Sequence, residues 1–179
     1  AIAALGHEIG YHYEDLSLAH GDMNKAITSF REHLAYFRQY YPVKTICMHG
    51  APTSQYDGRD LWKKYNYRDE DLTGEPYFDM DFTDAFYLTD TGRCWDGYKV
   101  SVRDKVPQQD QWLKQGLVFH TTQDVMQAIA GGQIAQLHHL MITTHPQRWT
   151  DRLSAWGKEW LMQTVKNMLK RLLIRCHLR

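Results

Sequence analysis

Apolar residues first recur at helical spacing between Met23 and Tyr41, where Met23, Ile27, Phe30, Leu34, Phe37 and Tyr41 follow one another at steps of three or four. Such steps put them on one face of a helix that begins after Asp22 and is stopped by Pro42. Ahead of it, residues 1–5 read as the tail of a helix closed by Gly6. Residues 8–13 read as a short strand and residues 15–21 as a polar turn. After it, residues 43–48 form an apolar run that suits a buried strand, ending in His49-Gly50-Ala51-Pro52, where Gly and Pro force a turn. Further strands are expected over residues 75–78, 85–89, 99–103 and 137–144. A short helix fits residues 61–64, within a polar and aromatic stretch (57–71) that looks like an insertion or lid. A capped helix after Thr121 or Thr122 runs to Ala130 and stops at Gly131-Gly132. The last helix starts near Asp151 with Thr150 as its cap, and Leu153, Trp156, Trp160, Val165, Met168 and Leu172 mark a buried side. Its basic end suits the helix dipole, and its apolar stripe fits either packing or a membrane surface.

Strand and helix alternate, which predicts an α/β class. A chain of 179 residues fits one domain, expected over 1–179, with 57–110 as a loop-rich segment over the active-site end. The chain opens on Ala1 inside a helix tail, so further sequence is expected upstream. There are 21 basic and 21 acidic residues, and that balance gives no reason to expect nucleic acid. Eleven Tyr and six Trp supply core and also rings on which sugar faces stack. The three cysteines, Cys47, Cys94 and Cys176, are odd in number and widely spaced. They show no zinc-ribbon pattern, argue against a disulfide framework and fit a reducing cytoplasm. No secretory signal and no bilayer-spanning apolar run is present.

Three histidines, His12, His49 and His145, fall at or near the ends of predicted strands, the reactive rim of barrel-like α/β folds. His12 and Glu14 share a strand face and can bind one divalent metal, or Glu14 and Asp15 are solvated turn residues. His7 reads as structural. His49 precedes Gly50 and suits a metal or an oxyanion. His145, fixed by Pro146, suits general-acid work because imidazole titrates near neutrality. Asp90, Arg93 and Trp95 lie in a glycine-rich segment that is either a hairpin or a substrate-facing loop. Trp149 and Arg148 either contact a sugar or pack and solvate. His138 and His139 point to opposite faces, and Cys47 reads as core.

The run Gly6-His7-Glu8-Ile9-Gly10-Tyr11-His12 resembles the second motif of the polysaccharide deacetylase (NodB homology, carbohydrate esterase family 4) superfamily. There Gly-His-Glu-Ile-Gly-Asn-His is followed, four residues on, by a second His. The stretches 10–16, 46–52, 87–97 and 144–149 are similar to a WbmS-like bacterial branch associated with surface polysaccharides. The resemblance implies a distorted (β/α) barrel, incomplete at its N-terminus, and a divalent metal, zinc by expectation. His12 matches the first motif His. Leu16 stands where the second is expected, so Glu14 or His49 takes its place. His145 matches the late general acid, and the metal and base Asp residues fall upstream of Ala1. The implied activity is removal of an N-acetyl group from a sugar of a surface polysaccharide or its precursor, with Asp90, Arg93, Trp95 and Trp149 contacting the carbohydrate. The alternative is a catalytically inactive sugar-binding or scaffolding barrel.

Overall fold

The computed structural model describes residues 1–51, 54–96, 106, 108–134 and 139–177, without the side chains of 147 and 173–177. The expected strand over 99–103 and residues Pro52, Gly97 and His138 lie outside the described residues. The chain divides into two compact units, Ala1–Met80 and Asp81–Arg179.

Unit 1 runs β1 (Tyr11–Tyr13), α1 (Asp15–Leu18), α2 (Met23–Arg38), β2 (Ile46–Met48) and α3 (Pro76–Asp79). The Asp22 carboxylate accepts from the backbone N–H groups of Asn24 at 3.0 Å and Lys25 at 3.1 Å. It thereby gives partners to donors that a first helical turn leaves open. α2 buries Ala26, Ile27, Phe30 and Leu34, while Phe37 stays exposed. It is the crossover that makes β1 and β2 parallel, with Tyr11 opposite Ile46 and Tyr13 opposite Met48. Phe30 sits at the centre, with its ring centroid 5.3 Å from Tyr11, 5.9 Å from Tyr13 and 5.0 Å from Trp62.

Three segments of unit 1 depart from the sequence reading. Residues 15–18 are helical rather than turn, because Asp15 and Leu16 are buried. The Asp15 carboxylate gains Tyr11 Oη at 2.6 Å, Ser29 Oγ at 2.7 Å and His33 Nδ1 at 2.9 Å. Together these partners, two of them from α2, satisfy a group whose local sequence looks solvated. Residues 75–78 begin a helix, not a strand. Pro76 occupies its first turn, and Glu75 accepts from the Tyr77 N–H at 2.6 Å. The stretch 57–71 is core, not lid: two short 3-10 helices, Gly58–Lys63 and Tyr67–Glu70, bury Leu61 and Tyr67. His7 is exposed, and Cys47 is only half-buried.

Unit 2 runs β3 (Ala85–Thr89), α4 (Gln109–Lys114), α5 (Thr122–Ala130), β4 (His139–Thr143) and α6 (Leu153–His177). All five residues of β3 are buried, as a strand covered on both faces requires. It pairs in parallel with β4, Ala85 opposite His139 and Thr89 opposite Thr143. Phe86 packs on Trp112 at 4.7 Å and Phe119 at 5.8 Å between ring centroids. α5 has a reciprocal cap, with Thr121 Oγ1 accepting from Asp124 N and Asp124 Oδ2 accepting from Thr121 N. α4 had no counterpart in the sequence reading. It is one and a half turns long and buries only Trp112, too little for a period to emerge.

α6 corrects the expected buried side. Leu153, Trp156, Trp160, Val165, Met168 and Leu172 are all exposed, while Gln163 is buried. Polar and cationic contacts hold the helix instead. Asn167 Nδ2 donates to Gly92 O at 2.7 Å, Gln163 Nε2 donates to Asn167 Oδ1 at 2.8 Å, and the Arg93 guanidinium lies 5.0 Å from the Trp156 ring centroid.

The chain is therefore mixed α/β with two small parallel sheets among the described residues. No helix searched is long and apolar enough to cross a membrane.

Candidate functional site

Each parallel pair carries a carboxylate and a histidine just beyond its strands, at their carboxyl ends. In unit 1, Glu14 follows β1 and His49 follows β2. His49 Nδ1 lies 2.8 Å from Glu14 Oε2, and its backbone N–H donates to Tyr13 O at 2.8 Å. The His12 ring centroid is 5.0 Å from that of His49, and His12 Nδ1 donates to Cys47 O at 3.0 Å. His12, Glu14 and His49 are thus neighbours. His12 lines a hollow of about 360 Å³ whose walls include neither Glu14 nor His49.

In unit 2, Asp90 follows β3 and His145 lies just past β4. Asp90 Oδ1 accepts from His145 Nδ1, and Asp90 Oδ2 accepts from the His145 backbone N–H at 2.8 Å. The Asp90 N–H extends the strand ladder to Thr143 O at 3.2 Å. Arg148 Nη1 donates to Asp90 O at 3.2 Å. The imidazole is therefore held in one orientation by a carboxylate that the backbone itself fixes, leaving Nε2 as the nitrogen that can exchange a proton.

Asp90 opens onto a cleft of about 730 Å³. Its walls come from four places: the loop after β3, the start of α5, the segment after β4, and α6. Four indole rings line it, Trp95, Trp149, Trp156 and Trp160. Trp149 is 64% exposed, Trp160 48% and Trp156 44%, with the Arg93 guanidinium over the Trp156 ring. Trp95 is fixed by its Nε1–H to Thr122 Oγ1 at 3.1 Å. Gly92, at φ +74°, turns the loop beneath them. The four residues expected to touch substrate, Asp90, Arg93, Trp95 and Trp149, all line this cleft. His145 stands behind Asp90 and is not one of the lining residues.

His120 also lines the cleft, and it belongs to a second arrangement. Among the described residues, Cys94, Asp96 and His120 are the one group of three or more His, Cys, Asp or Glu side chains whose ligand atoms all lie within 4.8 Å of one another. Such a group can hold a metal ion. Cys94 Sγ donates to Asp96 Oδ1 at 3.0 Å and lies 3.6 Å from His120 Nδ1, which is 2.9 Å from Asp96 Oδ2. Asp96 is buried and set in place by Phe119 N, 3.2 Å from its Oδ2, and by its own N–H on Phe119 O at 3.1 Å. His120 is set by its N–H on Asp124 Oδ2 at 2.9 Å, just ahead of the α5 cap.

The sequence reading passed over Asp96 and His120 as ligands. The spacing Cys94-x-Asp96 was a usable signal, since residues two apart on extended chain share a face. Nothing local joined His120 to them, because 26 residues separate it from Cys94. Trp156 and Trp160 were assigned to a buried face and instead line the cleft. No family model, curated protein or solved structure matches the chain.

Proposed function

We propose that the chain is a metal-dependent hydrolase of an N-acetylated saccharide, acting in the cleft of unit 2 on a surface polysaccharide or its precursor. One observation carries the reading: four indole rings line one cleft with Asp90, the carboxylate that holds His145 at the carboxyl ends of two parallel strands, where α/β folds bind ligands. Indole faces suit the C–H faces of pyranose rings and need no charge on the ligand. In this reading Trp149, Trp156 and Trp160 hold the sugar, and Trp95 closes the side towards α5. Arg93 and Arg148 supply donors to its oxygens. Asp90 orients His145. Water adds to the acetamide carbonyl carbon and gives up a proton to His145 Nε2, the C–N bond breaks, acetate leaves, and the amine nitrogen takes that proton from His145 Nε2. A divalent metal, zinc by expectation, would add Lewis acidity at the carbonyl oxygen. The two parallel strand pairs, each with its reactive residues at the carboxyl ends, are the kind of unit from which a distorted (β/α) barrel is built.

Incubating the zinc-supplemented protein with N-acetylated chito-oligosaccharides and measuring free acetate tests this. Acetate release that His145→Gln abolishes is expected. Glycan binding without acetate would favour the second reading, a non-catalytic sugar-binding barrel, which the burial of Leu16 in the unit 1 core supports. Neither binding nor release would overturn both.

A further inference from the structure

We infer that Cys94, Asp96 and His120 form a three-ligand zinc site whose fourth coordination position opens to the tryptophan-lined cleft. The inference rests on the cleft reading only for what the ion would act upon. Ion binding itself needs no saccharide.

The first argument is geometric. Zn–S bonds of about 2.3 Å and Zn–N bonds of about 2.0–2.1 Å at a tetrahedral angle set sulfur and nitrogen ligands roughly 3.6 Å apart. Cys94 Sγ and His120 Nδ1 are 3.6 Å apart. The Asp96 carboxylate stands beside both, with Oδ1 3.0 Å from Cys94 Sγ and Oδ2 2.9 Å from His120 Nδ1, and one ligand atom of each residue lies within 4.8 Å of the other two.

The second argument separates a metal site from a nucleophilic cysteine. In a Cys–His–Asp catalytic arrangement, the thiol uses one ring nitrogen and the carboxylate uses the other. Here both contacts fall on Nδ1 of His120. That convergence does not suit a proton relay and does suit a shared ion.

The third argument is ligand chemistry. One thiolate, one imidazole and one carboxylate select zinc or another thiolate-accepting transition metal over magnesium or calcium. Closed structural zinc sites have four protein ligands, whereas catalytic ones have three and keep one position for water or substrate. Among the described residues three converge here, and His120 borders the cleft. The supporting frame is also in place: Asp96 is anchored by Phe119, and Gln109 Nε2 donates to Asp96 O at 2.6 Å. Backbone anchoring of this kind lets ligands keep their positions without the ion.

The test is a titration of the chelator-treated chain with Co²⁺, which reports thiolate ligation by a charge-transfer band and tetrahedral geometry by its visible bands. One equivalent is expected to bind with both signals and to be displaced by Zn²⁺. Cys94→Ser should remove the charge-transfer band, and Cys47→Ser should leave it. Cys94→Ser and His120→Ala should each weaken binding by more than the roughly 10–100-fold that loss of an outer-shell partner costs. Circular dichroism of each variant separates lost binding from lost fold. Because Asp96 is buried and holds Phe119, its substitution is left out of the test. No binding, binding without a thiolate band, or a band that survives Cys94→Ser would overturn the site. So would binding lost on His12→Ala with the chain still folded. Stoichiometric Co²⁺ binding without acetate release would leave the zinc site standing and remove the deacetylase reading.

Discussion

The two units carry the same device in different surroundings. Each has two parallel strands with a carboxylate after the first and a histidine after the second: Glu14 and His49 in unit 1, Asp90 and His145 in unit 2. The Glu14 and His49 side chains are 40% and 49% exposed, whereas those of Asp90 and His145 are 12% and 32% exposed. Glu14 meets its histidine through one oxygen. Asp90 uses both oxygens, one on the ring and one on the backbone N–H. An ion pair in water contributes little, and its two long side chains resist being held in one geometry. A pair withdrawn from water and tied to the backbone keeps its orientation and gains electrostatic strength. The tryptophan cleft also opens beside Asp90, so the same pairing of carboxylate and imidazole is predisposed to different work.

The largest expected effect tests that contrast directly. His145→Gln should lower turnover of an N-acetylated oligosaccharide by roughly 100- to 10,000-fold, as loss of a general acid does. The same change at His49 should cost far less, and equal losses in acetate release would mean that the two pairs act alike.

Stability separates the units next. Phe30→Ala should destabilise unit 1 by about 3–5 kcal/mol, because it empties the centre of a packed aromatic cluster. The buried cores of the two units share no residue. Amide hydrogen exchange should therefore show lost protection in β1, α2 and β2 while β3 keeps its own. Uniform loss across both units would break the distinction.

Glu75 gives unit 1 a pH signature. Its carboxyl is buried, which raises its pKa, and the rise is partly offset by the Met48 and Tyr77 N–H groups and the Tyr13 hydroxyl. A raised folded-state pKa means that the folded chain holds the proton more tightly than the unfolded one. The stabilisation is then complete below the ordinary carboxyl range and is lost as pH rises through the folded value. Glu75→Gln should flatten that slope in denaturation midpoints. It should also cost about 1–3 kcal/mol, since the new amide would set a donor against the Tyr77 N–H, 2.6 Å from Oε2. A slope that persists would assign the effect to another group.

The smallest effect concerns the cleft. Trp149→Ala should raise KM several-fold, on the order of 1 kcal/mol of lost stacking, with kcat nearly kept. A fall in kcat at unchanged KM would place Trp149 in the chemistry and not in holding the sugar.

Much of this was legible in the chain. The repeat from Met23 to Leu34, the apolar runs at 43–48 and 85–89, and the cap at Thr121 are local signals, and each yielded its element. The positions of His49 and His145 just past strand ends were legible for the same reason, while His12 lies inside β1. Strands end where apolar runs meet Gly, Pro or Asp, and such punctuation is written locally. Asp90, Arg93, Trp95 and Trp149 could be singled out by residue type, but nothing local stated that they line one cleft.

Tertiary structure decided the rest. Asp15 became helical and buried because Tyr11, Ser29 and His33 reach it from other elements. The stretch 57–71 joined the core through Leu61 and Tyr67. α6 left its apolar residues outside because Asn167, Gln163 and Arg93 fix its position. Cys94, Asp96 and His120 became a group only when the chain returned to Asp96 at Phe119. Contacts such as Asp15 with Ser29 and His33, and Asn167 with Gly92, join residues far apart in sequence, and pattern read over one or two turns carries no record of them.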